Sequence, residues 1–162
     1  MKSKLSARRP ELQRRNNVVC IAIKQATKAN EIAAIKTLRT SVFIDEQGVS
    51  PDLESDDLDL DAYHAIASMK ESTVGTGRLV SREDGSALIG RMAVEISHRR
   101  CGVGRRILLF LESYAVEIGA SEITVHSQSH AVGFYMKNGY SVEGDPFEEA
   151  GIQHVIMRKP LP

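Results

Sequence analysis

Four arginines and two glycines crowd one short stretch of the chain, Arg99-Arg100-Cys101-Gly102-Val103-Gly104-Arg105-Arg106. Guanidinium groups meet phosphate oxygens in bidentate pairs. Glycines at the start of a helix leave its first N–H groups without intrahelical acceptors and without side chains to screen them. The chemistry this combination suits is the cradling of a diphosphate. The flanking residues supply the elements it needs. Upstream, Ala87 to Val94 is an apolar run of strand character, and downstream Ile107, Leu108, Leu111, Tyr114, Ala115 and Ile118 recur along one helical face.

Two further groups of residues carry chemical potential. His126 and His130 flank Gln128, and His64 and His154 fall on other predicted strands, so four of the five histidines are candidates to converge as proton relays. A metal would need three or four such ligands on rigid neighbours. The His126/His130 pair straddles a strand-helix boundary, and no metal is expected. Between residues 52 and 61 stand six carboxylates, Asp52, Glu54, Asp56, Asp57, Asp59 and Asp61. They lack the glycine and closing glutamate of a calcium loop, and the first reading is a solvated loop.

The remaining composition narrows the function. At 162 residues and 42% hydrophobic, the chain suits one domain with a full core. Basic and acidic residues balance at 21 each, so no global charge drives it toward nucleic acid or an anionic membrane. Two distant cysteines, Cys20 and Cys101, make no disulfide framework, and reducing, cytoplasmic surroundings are expected. Residues 1–17 form a basic tail, and residues 18–162 the domain.

Within that domain, Val18 to Ala26 is a first strand, and a helix capped by Thr27 or Asn30 follows, with Ile32, Ile35, Leu38, Arg39 and Val42 at helical spacing. Ala62 to Met69, Val74 to Arg82 and the Ala87 strand form an antiparallel meander with short turns. After the long helix, which Gly119 closes, come a strand from Glu122 to His126, a short helix through Phe134 and Tyr135, and two strands around the loop GDPFEEAG. The order is β-α-βββ-α-β-α-ββ.

With that order in place, the chain resembles the GNAT superfamily of acetyl-coenzyme A dependent N-acetyltransferases. The likeness rests on Arg99-x-x-Gly102-x-Gly104 between strand and helix, and on Phe134-Tyr135-Met136-Lys137-Asn138-Gly139-Tyr140, which is similar to the family's F-Y-x-x-x-G-[FY] segment. The segments 42–49, 126–131 and 147–154 resemble the ElaA-like branch. A common glycine of the loop is replaced here by Arg100-Cys101, and Glu95-Ile96-Ser97-His98 lacks the usual proline.

The resemblance implies an α+β, three-layer fold with a mixed, mostly antiparallel sheet flanked by helices. That sheet would splay between the strand ending at Val94 and the one ending near His126. Acetyl-CoA would lie in the gap as cosubstrate, its pantetheine arm along Met92, Ala93 and Val94 and its diphosphate on Arg99, Arg100, Cys101, Gly102, Val103, Gly104 and Arg105. An amine would be the acceptor. The resemblance assigns the general acid to Tyr135, and a backbone N–H near Val94 suits the oxyanion. Glu95 and His126 are candidates for the base, and Glu46, His64 and Gln128 for the acceptor side, with the carboxylates of residues 56–59 drawing in a cationic amine. Two alternatives stand beside this reading. Arg39-Thr40-Ser41-Val42-Phe43 is also similar to acyl-homoserine-lactone synthases, and a domain of this kind can serve as a non-catalytic CoA sensor. Exposed edges in the last strands make a homodimer plausible.

Overall fold

The computed structural model describes residues 20–162; the expected basic tail and the beginning of the first strand, Val18 and Val19, lie outside them. Seven strands form one sheet in the order β1-β2-β3-β4-β5-β7-β6. They are β1 (Ile21–Gln25), β2 (Tyr63–Met69), β3 (Ser72–Ser81), β4 (Ala87–Val94), β5 (Glu122–Gln128), β6 (Ser141–Glu149) and β7 (Ile152–Pro160). Neighbours run antiparallel except β4 and β5, which are parallel. Between them come α1 (Ala29–Arg39), a short α2 (Pro51–Glu54), α3 (Val103–Glu117) and α4 (Val132–Lys137), which realises the expected order with α2 added.

The alternation of β3 decides what each face receives. Gly75 and Gly77 face α3 so closely that a Cβ on Gly77 would sit 2.6 Å from Met92 Sδ and 2.8 Å from Leu111 Cδ1. The missing side chains let Val103, Ile107 and Leu111 pack against the strand, and the main core gathers there. On the opposite face, Leu38 and Val42 pack on Ala93, and Ile35 packs on Ile66.

Three local expectations are corrected. α1 is capped at Lys28, where the Glu31 carboxylate accepts from the N–H groups of Thr27 (2.9 Å) and Lys28 (3.1 Å). It continues as a π-helical turn, Thr40–Glu46. The segment GDPFEEAG is strand, not loop: β6 runs through it with a bulge between Glu143 and Phe147, and the chain reverses at Ala150 and Gly151, both at positive φ.

Candidate active site

The parallel ladder between β4 and β5 lasts for three pairs, Ala87↔Ile123, Leu88↔Thr124 and Ile89↔Val125. Beyond it the strands part. The cause is a bulge in β4, where Arg91 takes the left-handed conformation (φ 51°) and the register against β3 shifts between Thr76 and Arg78. His126 is the first residue of β5 past the ladder. Just past β4, Glu95 N–H bonds to Val74 O at 2.9 Å, so strand alternation turns the N–H and C=O of Val94 to the side of the opening. Arg99 Nε donates to that carbonyl at 2.9 Å, leaving the Val94 N–H aimed into the gap.

The N-terminus of α3 borders the same opening. Gly102, at φ 81°, turns the chain into the helix with no capping side chain, and the Arg106 N–H bonds back to Gly102 O at 3.1 Å. The N–H groups of Val103, Gly104 and Arg105 are therefore left over at the helix end. A Cβ on Gly104 would lie 3.7 Å from Val94 Cγ2 and 3.8 Å from Phe134 Cζ, which places Gly104 between the end of β4 and α4. Arg100, Cys101 and Arg105 are exposed around this end. Arg99 is engaged elsewhere, its guanidinium gripping Glu46 at 2.6 and 2.7 Å and so tying the π-helical turn to the end of β4. The pair holds the Glu46 carboxyl below its ordinary value and the Arg99 guanidinium above it.

Tyr135 is buried on α4, edge-on to Phe134 and Tyr140. Burial pushes its hydroxyl up to about 12, so it stays a proton-bearing donor throughout the physiological range. Glu95 caps the turn that follows β4, accepting from Ser97 N–H at 3.1 Å, from the Ser97 hydroxyl, and from His98 Nδ1 at 2.5 Å. Those hydrogen bonds, from Ser97 first and then His98, lower its carboxyl and weaken it as a base.

Four converging histidines are not what the structure builds. His126 and His154 meet across Glu149, on the sheet face opposite the main core. His64 is buried and donates through Nε2 to Asp59 O at 2.8 Å, while His130 is exposed near Glu46. Gln128 reaches the same side and donates to Gln47 Oε1 at 2.8 Å, joining β5 to the chain after the π-helical turn.

The acidic segment is no solvated loop. Arg39, buried in α1, bonds Glu54 and holds Asp59 at 2.8 and 3.0 Å. Arg78 of β3 reaches Asp56 at 2.5 Å and Asp59 at 2.8 Å, and Arg91 at the bulge adds Asp56 and the carbonyls of Leu53 and Glu54. Three arginines thus answer three carboxylates, which leaves those acids no spare charge for a cationic amine; Asp57 is exposed. This network is not among the expectations drawn from the sequence. Its signal was present in Arg39 and Arg78, two charges on core-facing positions of elements close to an acidic run.

A mostly antiparallel sheet that opens between its one parallel pair, with a helix N-terminus at the mouth, is the frame of acyl-CoA N-acyltransferases. The chain belongs to the GNAT acetyltransferases: residues 22–161 match the family described as acetyltransferase (GNAT) domain. The uncharacterized N-acetyltransferase YjcF of Bacillus subtilis is 39% identical over 123 residues, 75% of this chain and 87% of YjcF. ElaA of Escherichia coli is 27% identical over 134 residues, 80% of this chain and 88% of ElaA. Its crystal structure superposes with a TM-score of 0.78 over 86% of this chain and 99% of that one, at 23% identity. An aminoglycoside 6'-N-acetyltransferase solved in complex with coenzyme A shares the fold at 16% identity, with a TM-score of 0.71 over 87% of this chain and 98% of that one.

Proposed function

We propose that the chain transfers acetyl from acetyl-CoA to a primary amine of a small molecule or peptide, by direct attack within a ternary complex. The observation that carries this reading is the juxtaposition at one opening of the unpaired stretch of β4 and the uncapped start of α3. The N–H groups of Val103, Gly104 and Arg105 suit the diphosphate, with Arg100 and Arg105 as exposed counter-charges around Cys101 and Gly102. Met92, Ala93 and Val94 suit an extended arm lying beside β4. A coenzyme A complex of a protein with the same fold supports the choice of cofactor. Two exposed free thiols, Cys20 and Cys101, accord with a reducing, cytoplasmic setting.

In the transfer, the amine nitrogen forms a bond to the thioester carbon and the carbon-sulfur bond breaks. The Val94 N–H stabilises the oxyanion between those events. His126, at the point where β4 and β5 part, takes the proton of the attacking amine, and Tyr135 donates to the departing sulfur. Glu95 shapes the turn that carries the diphosphate loop. His64 holds the acidic segment in place, Gln128 braces the acceptor side through Gln47, and Glu46 fixes the π-helical turn that borders it.

The test is release of free CoA from acetyl-CoA across a panel of primary amines, with wild type and Tyr135→Phe at saturating acetyl-CoA. Turnover with at least one amine and a kcat lowered about a hundredfold in Tyr135→Phe are expected. Because Tyr135 titrates only near 12, its protonation gives the wild-type kcat no descending limb below about pH 10. An unaltered kcat in the variant would remove Tyr135 as the donor.

A further inference from the structure

Glu149 closes β6, immediately before the tight turn at Ala150 and Gly151, and it faces two imidazoles. Its Oε1 lies 3.1 Å from His126 Nδ1 and its Oε2 lies 3.8 Å from His154 Nε2. Phe147, two residues earlier on the same face, meets the His126 ring edge-on at 5.5 Å and stacks against His154 at 5.9 Å. His154 is itself fixed, because its Nδ1 donates to Ile152 O at 2.7 Å. The His126 ring is therefore bounded by a carboxylate and an aromatic edge from a single hairpin.

We propose that Glu149 is a positioning residue for His126. A carboxylate only accepts hydrogen bonds, so the ring nitrogen facing it carries the proton. That leaves Nε2 of His126 with its lone pair, as the group able to accept a proton from the acceptor amine. Glu149 thereby selects the tautomer and holds the ring plane, the part an acid plays behind a histidine base in hydrolases of other folds. Phe147, packed against both rings from the same strand, keeps this end of the hairpin beside His126. The proposal rests on the assignment of His126 as the base, and it adds to that site a residue from the edge hairpin, over twenty positions away in sequence.

The experiment combines the nitrogen spectrum of the His126 ring with steady-state kinetics on the amine of the panel that turns over. In wild type the ring shows the Nδ1-protonated tautomer. In Glu149→Gln, which keeps the shape and removes the charge, the tautomers mix and kcat falls about tenfold, with KM for acetyl-CoA unchanged. The loss stays far short of the ~10⁴ known for a buried triad carboxylate because the Glu149 side chain is 47% exposed. Glu149→Asp restores part of the rate. On a His126→Ala background, Glu149→Gln costs nothing further. An unchanged tautomer in Glu149→Gln, or a loss of kcat that persists without His126, would overturn the proposal. A His126→Ala variant with undiminished kcat would instead overturn the base assignment, while the ring spectrum still decides the pairing.

Discussion

The charged residues of the acidic segment show how single side chains anchor a loop to β3 and β4. Burial pushes the Asp59 carboxyl up, and hydrogen bonds from Arg39 and Arg78 more than undo this, leaving it at about 2 against an ordinary 3.8. A carboxyl depressed in the folded state contributes stability that is complete above its unfolded value and is lost as pH falls through its folded one. The wild-type unfolding free energy should therefore drop between about pH 4 and pH 2, and about 2 kcal/mol of that drop should vanish in Asp59→Asn. Urea titrations of both proteins at pH 7 and at pH 2 check this: the two should differ most at pH 7 and converge in acid. Curves that stay parallel would mean that Asp59 gains nothing from its arginines. Arg91 belongs to the same network and sits at the strand bulge, so one residue links the parting of β4 from β5 to the anchoring of residues 53–56.

At the scale of elements, the seat of α3 on β3 depends on absent side chains. A Cβ at Gly77 meets three side-chain atoms within 2.9 Å, from Met92, Leu111 and Ile107. Gly77→Ala should cost about 1–3 kcal/mol in thermal or urea unfolding; an unchanged midpoint would show that α3 has room to spare. The strand-loop-helix unit around Gly102 was legible in the sequence, since an apolar strand, a basic glycine turn and a helical stripe are all local patterns. So were the meander, the short helix carrying Tyr135, the start of β6 and β7. The part of β6 from Gly144 on was not, because Gly144, Asp145 and Pro146 are turn formers, and only pairing with β7 on the far side of Ala150-Gly151 makes that stretch a strand. The candidate site divides in the same way. The α3 terminus and Tyr135 were legible from nearby motif residues. The Arg99–Glu46 pair and the Arg39, Arg78 and Arg91 network were not, because each joins residues brought together only by the fold, with Arg99 and Glu46 53 positions apart.

At the largest scale, the described residues form one continuous sheet with a single parallel seam, and that seam opens where a bare helix end can meet an anion. Everything else secures the two sides of the opening: α3 and α4 on one face, and α1 with the acidic segment on the other. On the proposed function, this opening, with the start of α3, holds coenzyme A. Calorimetric titration of CoA into wild type and Gly102→Asp tests it most directly. No neighbouring atom blocks a side chain at Gly102, although its φ of 81° strains one, and the new carboxylate competes with the diphosphate for the same N–H groups. The expected result is saturable binding to wild type and a Kd raised about tenfold or more in the variant. Equal affinity in the two proteins, or no binding to wild type, would contradict it.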